Sequence, residues 1–262
     1  MAIWALSDPH LSLSAPDKGM EVFGPQWKEH MRRIARNWQR VVVDADVVLM
    51  PGDVSWSASL PQAAPDLKWL DSLPGTKVLV QGNHDHWWGP IGKTRAAMPR
   101  TIRLIQNDAL RLGRFVFFGT RLWDSPDFST AEAVDWNTPD KRPPEKYALK
   151  EPGHPETEAR REIWNREMER LKLSIASIPK EPGLRKIALL HYPPTTHDLR
   201  DTDATALLES VEGLTDVVFG HIHSLRRDLD RAFGVRRGPH GPVNYRLCSA
   251  DWLEMAPVKI SD

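Results

Sequence analysis

The sequence is poor in cysteine: Cys248 is the only one in 262 residues. A single cysteine excludes an intramolecular disulfide and any metal site built from several thiolates, and it favours a buried apolar role for this side chain. The chain also lacks an apolar run long enough to span a membrane, and its first residues lack the basic start and long apolar stretch of a secretory signal. We therefore expect no membrane association and a cytoplasmic location.

An excess of charge of either sign is also absent, because 35 Lys and Arg residues balance 35 Asp and Glu residues. No overall field attracts the protein to nucleic acid, so a dedicated nucleic-acid-binding protein is not favoured, although a local basic groove is compatible with this balance. The chain has no internal repeat and no low-complexity tract.

Short apolar runs rich in Val, Ile and Phe are present, and they indicate strands buried on both faces. Apolar residues at three- and four-residue spacing predict a helix along Trp27 to Trp38, and others over about 156–178 and 203–211. This alternation of strands and helices is typical of an α/β fold. The predicted strands are 3–6, 47–50, 78–80, 115–118, 187–190 and 217–219.

The character of the chain changes over about 121–155, which is rich in proline and forms a long irregular excursion. Loops of this length in compact domains tend to be functional lids or disordered segments. Because Trp123 and Trp136 lie in it, a packed flap is favoured over disorder. Since strands and helices continue on both sides, we interpret residues 1–262 as one domain with an insertion.

Polar stretches follow the predicted strands, where open α/β folds place their chemistry. They supply carboxylate oxygens, an amide oxygen and imidazole nitrogens, a set that holds two divalent cations side by side. Because such cations repel, the site needs a shared anion, and the two oxygens of Asp53 make it the natural bridge. The stretches are Asp8-Pro9-His10, Gly52-Asp53, Gly82-Asn83-His84-Asp85, His191 and Gly220-His221-Ile222-His223.

The order of these motifs over residues 8 to 223 resembles the calcineurin-like metallophosphoesterase superfamily. It is most similar to small bacterial predicted phosphohydrolases, a branch that resembles cyclic-nucleotide phosphodiesterases. The resemblance implies a four-layer αββα sandwich, in which two packed mixed β-sheets are flanked by helices and the metal site lies at the carboxyl ends of the strands.

The resemblance also implies two metal ions and their ligands. A mixed nitrogen and oxygen set without sulfur suits Mn²⁺ or Fe, and Zn²⁺, Co²⁺ or Ni²⁺ could substitute. One ion would be held by Asp8, His10 and His223. The other ion would be held by Asn83, His191 and His221. Asp53 would bridge the two ions.

Catalysis is implied by the same resemblance. A hydroxide that bridges the ions would attack phosphorus in line with the leaving oxygen. His84 would lie over the leaving group, either as a proton donor or as a stabiliser of transition-state charge, and Asp85 would orient its ring.

Six residues near the motifs are candidate substrate contacts. Two of them, His86 and Trp88, follow the third motif. They would form a wall that stacks a nucleobase or an aryl group, and the alternative is that they pack in the core. The other four candidates could contact the substrate or a phosphate. The alternative is that they lie in exposed loops or on the surface and have no role in binding. These candidates are His86, Trp88, Arg121, Trp123, His197 and Arg226.

Differences from other branches favour one activity. Protein serine/threonine phosphatases carry Asp-Arg-Gly shortly after Gly-Asp, whereas Val54 follows Asp53 here, and the third motif ends in Asp85 rather than Glu. That branch is therefore not favoured, and the resemblance to the small bacterial branch implies a phosphodiesterase that acts on a small phosphate ester such as a cyclic nucleotide. A phosphomonoesterase or nuclease with the same metal centre is the alternative, and a protein-binding scaffold of the same fold is the alternative outside enzymes. The oligomeric state is left open.

Overall fold

The protein is described from a computed structural model, in which residues 1–136 and 149–262 are described. Residues 137–148 of the expected insertion lie outside the described residues. No helix in the described part of the chain combines the length and the apolar character that crossing a bilayer requires.

The first sheet has five strands, of which four are parallel and one edge strand is antiparallel. Every residue of its central strand, Val47–Met50, is buried, as expected for a strand covered on both faces. In sheet order the strands are β11 (Val258–Ser261), β1 (Ile3–Ala5), β2 (Val47–Met50), β3 (Thr76–Leu79) and β4 (Ile102–Leu104).

The second sheet has six strands, with four parallel strands between two antiparallel edges. In sheet order they are β5 (Ala109–Leu112), β6 (Phe115–Thr120), β7 (Arg185–Leu190), β8 (Leu214–Phe219), β10 (Gly241–Leu247) and β9 (Gly234–Gly238).

Helices cover the outer faces of both sheets. Ile34 and Trp38 from the first helix pack with Val48 of β2, and Trp164 and Leu171 from the longest helix pack on the second sheet. The helices are α1 (His30–Val41), α2 (Leu60–Asp71), α3 (Ile91–Ala96), α4 (Pro155–Ala176) and α5 (Asp203–Glu209).

The inner faces of the sheets pack on each other. Leu49 of β2, Phe117 of β6 and Leu189 of β7 lie in this central cluster, whereas Val48, next to Leu49, faces the helices. Because side chains alternate across a strand, these continuous apolar runs serve both layers at once. The expected α/β class and the four-layer αββα arrangement of two mixed sheets are confirmed.

The two sheets meet at the carboxyl ends of their parallel strands. The backbone N–H of Ser7, just past β1, donates to the carbonyl of Cys248 after β10 at 2.7 Å. The N–H of Asp8 donates to Gly52 at 3.1 Å, and that of Gly220 donates to His191 at 3.1 Å. Loops from both sheets are thereby joined at one edge.

Candidate metal centre

Four of the expected ligands have left-handed backbones. The φ angles are 54° at Asp8, 45° at His10, 52° at Asp53 and 69° at His221. Non-glycine residues rarely adopt this region, and each such position costs on the order of 1–3 kcal/mol. Residues in such strained conformations cluster at functional sites, where the surrounding contacts hold them.

Two glycines allow carboxylates to approach the backbone. A Cβ on Gly82 would lie 2.0 Å from Oδ1 of Asp53, and one on Gly220 would lie 2.1 Å from Oδ2 of Asp8. Both distances are far shorter than a van der Waals contact. The Gly-Asn-His-Asp and Gly-His-x-His motifs therefore begin with glycine because a larger residue would displace a buried carboxylate.

We expect Gly220→Ala to lower the affinity for divalent metal by about 10- to 100-fold, since the methyl group would push the Asp8 carboxylate away. The measurement is metal content after reconstitution, together with the rise in Tm on addition of Mn²⁺ to metal-free protein. The control is Gly92→Ala, because nothing lies within 4 Å of a Cβ at this position. Wild-type metal affinity in Gly220→Ala would contradict the placement of Asp8 in the site.

Asp8, His10 and His223 form the first donor group, in which one ligand atom from each lies within 4.8 Å of the others. Nε2 of His10 lies 3.0 Å from Nε2 of His223, and Nε2 of His223 lies 4.0 Å from Oδ1 of Asp8. All three atoms converge on a space that suits a small cation.

The His223 ring is oriented by Asp251, which sequence analysis did not single out. Nδ1 of His223 lies 2.9 Å from Oδ1 of Asp251, whose other oxygen accepts from the N–H of Ser224 at 2.7 Å. Burial lowers the pKa of His223, but its hydrogen bond and charge pairing with Asp251 outweigh burial and raise it. Because Nδ1–H faces a carboxylate, Nε2 points into the first donor group as a ligand. The only sequence signal for Asp251 is a carboxylate shortly after an alternating strand.

Asn83, His191 and His221 form the second donor group. Oδ1 of Asn83 lies 2.7 Å from Nε2 of His191 and 3.0 Å from Nδ1 of His221. Nδ1 of His191 donates to the carbonyl of Pro51 at 2.8 Å, so its Nε2 carries a lone pair toward the Asn83 oxygen. Two lone pairs this close repel unless they share a cation, so this geometry fits a metal ion.

Asp53 lies between the two groups. Its Oδ1 accepts from the N–H of His84 at 2.8 Å, while its Oδ2 lies 3.7 Å from Nε2 of His10 and 3.6 Å from Nε2 of His191. A single oxygen thus faces both donor groups. Asp8, Asp53 and His191 also form a cluster with ligand atoms within 4.8 Å.

The charges of the site also fit cations. Burial raises the pKa of Asp8 to about 6 and that of Asp53 well above its usual value. Within the described ranges, neither carboxylate has a Lys or Arg nitrogen within 4.0 Å. Two buried carboxylates without a cationic partner are costly, and bound cations would remove this cost.

Three of the four expected ligand imidazoles are held in the neutral form that binds metal. Burial lowers the pKa of His10 and His191 well below the usual range, and burial with the nearby His223 lowers that of His221 to about 3. Neutral imidazole is the metal ligand, because a protonated ring nitrogen has no lone pair. The seven expected ligands, which are the three residues of each donor group and Asp53, therefore meet in one place and could hold divalent ions.

His84 lies beside the donor groups rather than in one. Its ring centroid is 4.2 Å from that of Trp56 and 5.6 Å from that of His10. Burial lowers the pKa of His84 to about 4. The ring borders the cavity described below, so it is placed to meet a bound molecule.

Asp85 accepts hydrogen bonds from the backbone and from an indole. Its Oδ1 accepts from the N–H of Val54 at 2.9 Å and from the indole of Trp87 at 2.8 Å, and its Oδ2 accepts from the N–H of Gly82 at 2.8 Å. These bonds engage both oxygens, and a bond from the His84 ring is not among the described contacts of Asp85, so the orienting role of Asp85 stays a prediction. The carboxylate ties the loops after β2 and β3 together.

A cavity of about 460 Å³ opens at the donor groups. Its charged walls include Asp124, whose Oδ1 lies 3.9 Å from Nε2 of His221, and also Asp135 and Arg160. The metal-site side chains that line it are His10, Asp53, His84, His221 and His223.

The two aromatic candidates after the third motif, His86 and Trp88, do not line this cavity. Trp88 is buried in the core, where its indole donates to Oε1 of Gln106 at 2.7 Å, and His86 is exposed. Neither is among the described residues that line the cavity. Trp56 does line it, and its position three residues after Asp53 is the signal that could have identified it.

The remaining candidate contacts also lie outside the described lining of the cavity. The Arg121 guanidinium stacks 4.7 Å over the Trp123 ring. Arg226 makes two hydrogen bonds, of 3.0 and 2.9 Å, to the Asp228 carboxylate, and the carbonyl of His197 accepts from the backbone at 2.8 Å. These side chains and this carbonyl are therefore engaged in contacts within the protein, away from the described lining of the cavity.

Two phage proteins resemble part of this chain. A stretch of 105 residues is 34% identical to the Gene 66 protein of Mycobacterium phage D29, and covers 40% of this chain and 49% of that protein. A stretch of 96 residues is 34% identical to the Gene 66 protein of Mycobacterium phage L5, and covers 36% and 43% respectively. The match thus spans about half the length, or less, of these relatives.

Two solved structures and one family model complete the comparison. The phosphopantetheinyl hydrolase PptH of Mycobacterium tuberculosis aligns over 99% of this chain and 95% of its own, with 9% identity and a TM-score of 0.48. TT1561 of Thermus thermophilus aligns over 99% and 97%, with 13% identity and a TM-score of 0.47. These values identify no substrate. The model of the calcineurin-like phosphoesterases matches residues 1–225, and the chain therefore belongs to this family.

Proposed function

We propose that the protein is a dinuclear-metal-dependent phosphodiesterase that acts on small substrates such as cyclic nucleotides. One observation carries the proposal: Oδ2 of Asp53 faces both donor groups at the base of a cavity of about 460 Å³. A cavity of this size suits a small molecule.

The first donor group would hold one ion, the second donor group the other, and Asp53 both. Mn²⁺ or Fe suits these nitrogen and oxygen donors. When bound, such a pair would polarise the phosphoryl oxygens and activate water for in-line attack.

The residues of the chain orient the substrate and meet the leaving group. His84 lies at the cavity with a neutral ring, which still carries one N–H. That N–H can donate a hydrogen bond to the leaving oxygen, and a phosphate anion nearby would favour protonation of the ring. Packing against Trp56 limits the positions that the ring can adopt.

The charges of the cavity favour a diester over a monoester. Apart from the histidines, the ionisable side chains among its described lining residues are Asp53, Asp124, Asp135 and Arg160. A dianionic monoester would meet Asp124 and Asp135 with one arginine to offset them, whereas a diester carries a single negative charge.

The test is a substrate panel assayed with the Mn²⁺-loaded protein. It comprises bis-p-nitrophenyl phosphate, p-nitrophenyl phosphate, 2′,3′- and 3′,5′-cyclic AMP, and single-stranded DNA. We expect kcat/KM for the diester to exceed that for the monoester by about tenfold or more, which corresponds to about 1.4 kcal/mol. A preference for monoesters would overturn the diesterase assignment. An absence of hydrolysis in Mn²⁺ would favour the alternative that the protein is a protein-binding scaffold rather than an enzyme.

A further inference from the structure

We infer, on the basis of the proposed function, that the substrate carries an uncharged aromatic group next to the reacting phosphorus, and that Phe23 determines this specificity. The inference rests on the aromatic wall, which we define as Trp27, Trp56 and Phe128, and on the rim turn Met20–Phe23.

The aromatic wall is in contact with the side chains of the metal site. The Trp56 ring stacks on the His10 ring at a centroid distance of 4.9 Å, and the Trp27 ring lies 5.3 Å from that of His223. Any group attached to a phosphorus held at the donor groups must therefore lie close to these rings. Apolar and aromatic surface at this position stabilises an aromatic group rather than a polar one.

The rim turn extends this surface to solvent. The Trp56 indole donates to Sδ of Met20 at 3.4 Å, which fixes the turn against the wall. Phe23 lines the cavity and yet leaves 60% of its surface exposed, and its neighbour Val22 is 82% exposed. The exposed apolar surface of Phe23 at the cavity is unfavourable in the free protein and becomes favourable once an apolar group covers it.

The charged lining argues that this group is uncharged. Outside the metal site, the described charged side chains of the cavity are two carboxylates, Asp124 and Asp135, and one cation, Arg160. A second anionic group on the substrate would therefore meet more negative than positive charge, whereas an uncharged group would not be repelled.

The first test uses diesters that share a p-nitrophenolate leaving group and differ in the other ester group, naphthyl or methyl. We expect wild-type kcat/KM to favour the naphthyl ester by about tenfold or more, and Phe23→Ala to reduce this ratio by about fivefold. The control is Val43→Ala. Val43 is similarly exposed, at 59%, but it precedes β2, at the opposite end of the strand from the site. This control should leave the ratio unchanged.

The second test measures binding without turnover. Monomethyl naphthylphosphonate and monomethyl methylphosphonate are titrated by calorimetry into the metal-loaded wild type and Phe23→Ala. We expect tighter binding of the naphthyl compound, and a loss of about fivefold in its affinity in the variant. Because Phe23 is exposed, the variant should fold normally, which the Tm verifies.

The outcomes separate the two proposals. Equal hydrolysis and equal binding of naphthyl and methyl compounds by the wild type would overturn the aromatic specificity and leave the phosphodiesterase standing. A naphthyl preference that Phe23→Ala does not reduce would overturn the role of Phe23. Preferential binding of the naphthyl phosphonate without hydrolysis of any diester would support the aromatic site and overturn the proposed function.

Discussion

Asp53→Asn is expected to abolish turnover, with a loss of about 10³-fold or more in kcat/KM, and to lower the content of both metal ions. In the native protein one oxygen of Asp53 is bound by the N–H of His84, and the other faces His10 and His191. An asparagine that keeps its oxygen on the His84 N–H would turn its amide N–H₂ toward both donor groups. That group cannot bind a cation, and the bridging negative charge is lost.

Metal analysis of reconstituted protein and steady-state kinetics would check this expectation. Asp44→Asn is the matched control, because Asp44 is exposed in the turn before β2, remote from the site. Near-normal activity and two bound ions in Asp53→Asn would remove Asp53 from its assigned position between the metals.

His84→Ala is expected to retain its metal while kcat falls by about 10²- to 10⁴-fold, with the largest loss for poor leaving groups. The imidazole belongs to neither donor group, so its removal takes no ligand away. Its backbone N–H, which holds Asp53 at 2.8 Å, survives the substitution. A p-nitrophenolate needs little stabilisation as it departs, whereas an alkoxide or phenolate needs much more.

Comparison of kcat across diesters of increasing leaving-group pKa, with metal content measured in parallel, would test this role. His86→Ala is a control from the same loop, since that ring is exposed and its centroid lies 6.5 Å from that of His84. Loss of metal from His84→Ala would instead make His84 a ligand.

The strands that carry the site were predictable because their apolar runs are continuous. β2 has the predicted bounds, and β7 and β8 end at the predicted residues, directly before the site residues. The first helix begins at His30 rather than at Trp27, because Trp27 lies in a short 3-10 turn and packs against His10. β9 and β10 were not predicted, since charged and polar residues interrupt their apolar pattern.

The substrate contacts were less predictable, because proximity in sequence to a motif does not determine which way a side chain points. Trp88 follows the third motif and is buried in the core, whereas Trp56 stacks on His10 and lines the cavity. Arg160 reaches the cavity from α4, and no local pattern marks it. The only signal for Asp251 is its position shortly after the alternating strand β10.

The resemblance carried by the motifs predicted the family and the four-layer fold. The sequence by itself indicated an α/β class and the residues that can bind metal, because these depend on residue type and on position after apolar strands. Only the tertiary structure decided that one Asp53 oxygen faces both donor groups, that Asp85 ties the loops after β2 and β3 together, and which aromatic rings line the cavity. These features depend on how two sheets meet and on left-handed turns at individual residues. Long-range packing sets them, and a linear motif does not encode it.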